Sequence, residues 1–140
     1  MKELKIEVPK GFEVDKEKST FERIMFKEVS SPMEKVFQYH NTTEEQFNEL
    51  YKNIPKHLKA IEKECMLASF YNKGWIPDFN NKNQRKYFAY FYLDVFRLDD
   101  CSYCYSSSCV PARLLWKNEQ DLREAVEIYK DVFKESREFN

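Results

Sequence analysis

Glycine is almost missing from this chain: Gly11 and Gly74 are the only two among 140 residues. A phosphate-cradling loop or a dinucleotide fingerprint needs several glycines at fixed spacing, because only a residue without a Cβ lets backbone N–H groups close on a phosphate. Nucleotide hydrolysis and dinucleotide chemistry are therefore disfavoured. Histidine is as scarce. His40 and His57 fall in no Ser/His/Asp, Cys/His or His-Glu-x-x-His arrangement, so nucleophilic and metallohydrolase chemistry have no visible signature and the chain reads as non-enzymatic, with no cofactor motif. Four cysteines are too few for a disulfide scaffold. No apolar run approaches the roughly 20 residues of a membrane span, and Met1 to Lys10 alternates charge where an export signal carries an apolar stretch. These absences point to a cytoplasmic protein with reduced thiols and no membrane partner. An excess of either charge is lacking too: 23 basic against 24 acidic side chains leave a net charge of −1. No global field then steers the protein onto nucleic acid or anionic lipid.

What is present is a core. Hydrophobic residues make up 42% and aromatics 16% of a chain whose length suits one domain, so residues 1–140 read as a single α+β domain. Leu4 to Val14 alternates in part, broken by Pro9 and Gly11, as an interrupted edge strand does. Thr20 to Val29 alternates more cleanly and predicts a strand with Ile24 and Phe26 inward. Met33 to His40 is ambiguous, with a short helical turn carrying Val36 and Phe37 as one reading. Thr43-Glu44-Glu45-Gln46 has the form of a capping box and opens a helix through Ile54. Lys56 to Lys73 predicts a largely buried helix that stops at Gly74 in a left-handed cap, after which Trp75 to Phe79 should be extended. Tyr87 to Leu98 reads as a central strand covered on both faces, Asp99-Asp100 as a turn, Cys101 to Ser106 and Ala112 to Lys117 as further strands. Asn118 caps a final helix with the apolar stripe Leu122, Ala125, Val126, Tyr129, Val132 and Phe133. The expected architecture is an antiparallel sheet, a C-terminal three-stranded meander plus the N-terminal strands, with two to three helices on one face.

The run Gly74-Trp75-Ile76-Pro77-Asp78-Phe79-Asn80-Asn81, with Asn83-Gln84 and Lys86-Tyr87-Phe88 after it, resembles uncharacterised proteins of Bacteroides phages and prophages. The opening Lys5-Ile6-Glu7-Val8-Pro9-Lys10-Gly11-Phe12 and the closing Ala112-Arg113-Leu114-Leu115-Trp116-Lys117 are similar to the same group. The resemblance implies an origin in phage or phage-derived DNA and a setting in the host cytoplasm or the virion. It implies no activity, cofactor or catalytic residue, and the cysteine cluster near residue 101 lies outside its pattern.

Three constellations bear on chemistry. Cys101-Ser102-Tyr103-Cys104 is a C-x-x-C which, with Cys109 and either Cys65 or His57, supplies enough ligands for tetrahedral zinc. Against that, the second close-spaced ligand pair is missing, and strand residues three apart point to opposite faces. Small buried thiols are the preferred reading. Tyr90 and Tyr92 on one strand, with Tyr103 and Tyr105 on the next, form an aromatic platform on a sheet face. With Lys82, Arg85 and Lys86 beside it, such a platform suits single-stranded nucleic acid. A protein-binding face uses the same residues, since tyrosine and tryptophan are favoured at interfaces. Trp75 and Phe79 flank Pro77 either as a recognition loop or as a staple pinning the helix exit to the core. The expected surface is thus Trp75, Phe79, Arg85, Lys86, Tyr90, Tyr92, Tyr103 and Tyr105, and the expected partner a host or phage protein, including a component of a host defence system. A nucleic-acid strand and a small molecule or zinc are the alternatives. The sequence leaves the oligomeric state open.

Overall fold

The computed structural model describes residues 5–9, 12–28, 31–108 and 110–138, which fall into two compact units, Met1–Ser31 and Pro32–Asn140. Leu4, Lys10, Gly11, Val29 and Cys109, which carried parts of the readings above, lie outside the described residues. The architecture is α+β.

In the first unit β1 (Phe12–Val14) and β2 (Phe26–Glu28) pair antiparallel with each other, Val14 opposite Phe26 and Glu13 opposite Lys27. Asp15 shapes the connection. Its Oδ1 accepts from the backbone N–H groups of Glu17 and Lys18, both at 3.1 Å, an Asx turn that competes with strand extension. The second strand is therefore shorter than the alternation suggests, and Ile24, expected inward, precedes it and is exposed.

The second unit holds five described helices and a hairpin. α1 (Pro32–Tyr39) settles the ambiguous stretch as helix and buries Val36 and Phe37. α2 (Glu44–Leu50) starts at the expected capping box: Thr43 Oγ1 accepts from Gln46 N at 3.2 Å and Gln46 Oε1 from Thr43 N at 3.2 Å. α3 (Lys56–Asn72) buries Ala60 and Glu64 to Ala68. Its left-handed cap begins one residue earlier than expected, at Lys73 (φ 49°), and Gly74 continues it at φ 84°. β3 (Lys86–Tyr92) and β4 (Arg97–Cys104) pair antiparallel, with a bulge between Tyr90 and Phe91. The run read as one central strand is thus the two arms of a hairpin, turning at 93–96, and Asp99 and Asp100 belong to β4 instead of a turn.

Ala112–Leu114 is a short 3-10 turn where a strand was expected. Only Trp116 of that segment joins the sheet, exchanging hydrogen bonds of 2.9 and 2.8 Å with Tyr87. It occupies the edge of β3, so the order is β4, β3, Trp116 segment, and β3 is central. Asn118 caps α4 (Glu119–Ile128) through bonds from Gln120 N and Asp121 N. The final stripe is split, because Tyr129 leaves helical geometry before α5 (Lys130–Ser136). Phe37, Leu67, Leu115, Leu122 and Phe133 fill the core, each nearly sealed from solvent.

A buried carboxylate ties α3 to α5. Glu64 accepts from Ser136 Oγ and from the Arg137 guanidinium, which also lies 4.4 Å over the Phe91 ring. Burial pushes the Glu64 carboxyl up, and the Arg137 charge offsets only part of that.

Candidate functional site

The hairpin begins with a clamp. Lys86 is fully buried, contrary to its expected place on the surface, and its ammonium donates to Tyr105 O at 2.6 Å and Gln84 O at 3.0 Å, 5.3 Å over the Phe79 ring. A buried cation must be hydrogen-bonded to be tolerated, and these bonds hold the strand ends together. The preceding loop is tied by its own side chains: Asp78 N donates to Gln84 Oε1, Asn80 N to Asp78 Oδ1 and Asn83 N to Asn81 Oδ1. Phe79 therefore covers the Lys86 ammonium while remaining 36% exposed itself. Trp75, half-buried, lines a cleft against α3.

The register decides which aromatics share a face. Tyr87 lies opposite Tyr103, and Ala89 opposite Cys101, so these side chains occupy one face, the one whose Phe91 meets Phe133 of α5 at 5.9 Å. Tyr90 and Tyr92, at odd offsets from Tyr87, point the other way. The four tyrosines are thus not one platform but two pairs on opposite faces. On the helix side, at its exposed end, Tyr103 and Tyr105 meet edge-on at 5.6 Å. Arg85 covers them, its guanidinium 4.6 Å above Tyr103 and its Nε donating to Tyr105 Oη at 3.3 Å. The Tyr103 ring face is therefore already occupied by a cation.

On the outer side Tyr90 and Tyr92 are 54% and 42% exposed, and the turn beyond them adds Leu93 at 61% and Val95 at 66%. This apolar tip was not legible as such, since Leu93 and Val95 read as strand interior. The one signal was Asp94, which interrupts the apolar run and accepts from Val95 N at 2.9 Å. Phe96 closes the turn at φ 40°, a left-handed conformation that costs a non-glycine residue about 1 kcal/mol. Its ring stacks on Phe91 at 4.9 Å and 10°, anchoring the turn from the core side. Phe96 thereby ties the turn to the core side while Leu93 and Val95 stay exposed.

The three described cysteines are dispersed. Cys101 is buried in the core on the helix side, Cys104 sits on the outer side, and Cys65 is buried on α3. Among the described residues no group of three or more His, Cys, Asp or Glu side chains is placed to hold a metal ion. Burial pushes the Cys65 thiol up to about 11, so it stays protonated near neutrality. No described helix is long and apolar enough to cross a membrane. Compared with protein-family models, curated proteins and solved structures, the chain matches none of them.

Proposed function

We propose that this chain is a non-enzymatic binding protein that engages a protein partner through the tip of its β3–β4 hairpin. The observation that carries the reading is the exposure of four apolar side chains at one end of the hairpin, Tyr90 and Tyr92 at the end of β3 and Leu93 and Val95 in the turn that Phe96 anchors. Exposed apolar patches on rigid elements favour association, because burying them releases water with little ordering cost. At the rim of the tip stand one charge of each sign, Asp94 in the turn and Arg97, whose guanidinium lies 5.2 Å over the Tyr92 ring, which suits a partner offering an apolar recess with polar groups at its edge. The division of the tyrosines between two faces and the arginines over Tyr103 and Tyr92 weigh against the stacking-platform alternative. The phage resemblance supplies the setting, a partner in the host cytoplasm or in the particle.

The test is capture by the tagged chain from nuclease-treated host lysate, comparing wild type with Leu93→Ser/Val95→Ser and with Tyr103→Ser/Tyr105→Ser. The reading predicts a partner lost from the tip variant and kept by the other. Equal capture by wild type and tip variant, or capture abolished by nuclease, would overturn it.

A further inference from the structure

We infer that the cleft between α3 and the 112–115 segment is a binding site for a flat, uncharged nitrogen heterocycle bearing an N–H donor, a ligand about the size of a nucleobase. This site is separate from the hairpin tip and rests on its own geometry.

The cleft has a volume of about 400 Å³, within the range of pockets that take small organic ligands, roughly 300–1,000 Å³. Trp75, Ile76, Pro77, Ala112 and Leu115 give it mostly apolar walls, which favour a ring over a flexible polar chain. Its lining is electrically quiet. Arg113 is held in a two-pronged ion pair by Glu62, at 3.1 and 2.8 Å, so its charge is already balanced and an anionic ligand gains little. The Cys65 thiol is neutral for the reason given above.

One polar group on the wall has a defined, unused role. His40 Nε2 lies 3.0 Å from Met66 O. A carbonyl only accepts, so Nε2 carries the proton. In the neutral ring Nδ1 is then an acceptor, and it has no partner among the described residues. His40 lines the cleft, and its Nδ1, unlike that of His57, is not sealed from solvent, so a ligand N–H that replaces solvent there meets an open acceptor. Another part of the lining is fixed in advance: Asn72 Nδ2 donates to Leu115 O and Asn72 Oδ1 accepts from Lys117 N, each at 2.9 Å. A wall held before binding costs the ligand little ordering.

The experiment is ¹H–¹⁵N shift mapping of the full chain titrated with benzimidazole, adenine, benzoate and cyclohexanol. Trp75→Phe assigns the indole signal. The inference predicts saturable shifts of the Trp75 indole and the Gly74 and Ile76 amides with benzimidazole or adenine, and binding at least about tenfold weaker with benzoate and cyclohexanol. His40→Phe should weaken binding by a similar factor. Ser69→Trp, at an exposed α3 position lining the cleft, should block it without unfolding the chain. Absence of saturable shifts with both heterocycles into the millimolar range, equal binding of benzoate, or undiminished binding by Ser69→Trp would overturn it. The hairpin-tip variant should bind benzimidazole as wild type does, so failure here and failure of the protein-binding reading are read separately.

Discussion

Replacing Asn72 with alanine removes the clamp between the end of α3 and the segment that carries Leu115, Trp116 and Lys117. Both bonds of the side chain are lost, 2.9 Å to Leu115 O and 2.9 Å from Lys117 N. A net hydrogen bond is worth about 1 kcal/mol. Leu115 is buried, so its carbonyl, left short of a donor, adds about 1 kcal/mol more. The better helix propensity of alanine returns a few tenths. The expected loss is therefore about 2–3 kcal/mol. In a chain of this size that lowers Tm by about 6–12 °C. Equilibrium urea unfolding should show a lower midpoint at an unchanged slope, the sign of a stability change without a change in exposed surface. Asn72→Asp sharpens the test. It keeps the acceptor for Lys117 N, has no donor for Leu115 O, and puts a negative charge at a helix C-terminus, where the dipole disfavours it. Aspartate should be at least as damaging as alanine. A loss below about 0.5 kcal/mol for alanine, or a milder effect of aspartate, would show that apolar burial and the Tyr87–Trp116 bridge hold the segment alone.

Three further perturbations follow from the same reasoning. Burial holds the Glu64 carboxyl above its unfolded value of 4.5, so its contribution is complete below that pH and is lost as pH rises through the folded value. The stability difference between wild type and Glu64→Gln should therefore fall from about pH 4.5 towards neutrality, with a slope of at most about 1.4 kcal/mol per pH unit; a difference that grows with pH in urea titrations would contradict this. Gly74→Ala should cost about 1 kcal/mol through its φ of 84° alone, because an added Cβ would meet nothing within 4 Å, and a loss well above this in thermal melts would mean a steric clash is at work. Asn118→Ala, which uncaps α4 at Gln120 N and Asp121 N, should cost about 1 kcal/mol while Asn118→Ser recovers most of it; equal stability of alanine and serine variants would refute the capping role.

Local signals were legible wherever chemistry is confined to a few neighbours. The capping box at Thr43, the Asn118 cap and the apolar face of α3 all act within two helical turns, so their residues identify themselves. The hairpin was harder. Its turn, Leu93 to Phe96, contains no glycine or asparagine, and Phe96 adopts a left-handed conformation because a ring stack with Phe91 holds it there. That compensation comes from packing, which no turn residue announces. Lys86 misled for a related reason. A lysine beside a polar loop normally points to water, but here Tyr105 O, nineteen positions away, turns inward to meet it. The division of the tyrosines depends on cross-strand register, which strand length alone does not define. The cleft unites His40, α3, the Trp75 segment and residues 112–115, a meeting created by tertiary packing and visible in none of these segments alone.

The central claim is that the hairpin tip, not the Arg85-covered tyrosine pair, touches the partner. It is tested most directly by placing a photo-crosslinking amino acid at Leu93 in one protein and at Tyr105 in another, then irradiating each in host lysate. The account predicts a discrete protein adduct from position 93, resistant to nuclease, and none from position 105. The same adduct from position 105 with none from position 93, or no adduct from either, would contradict it.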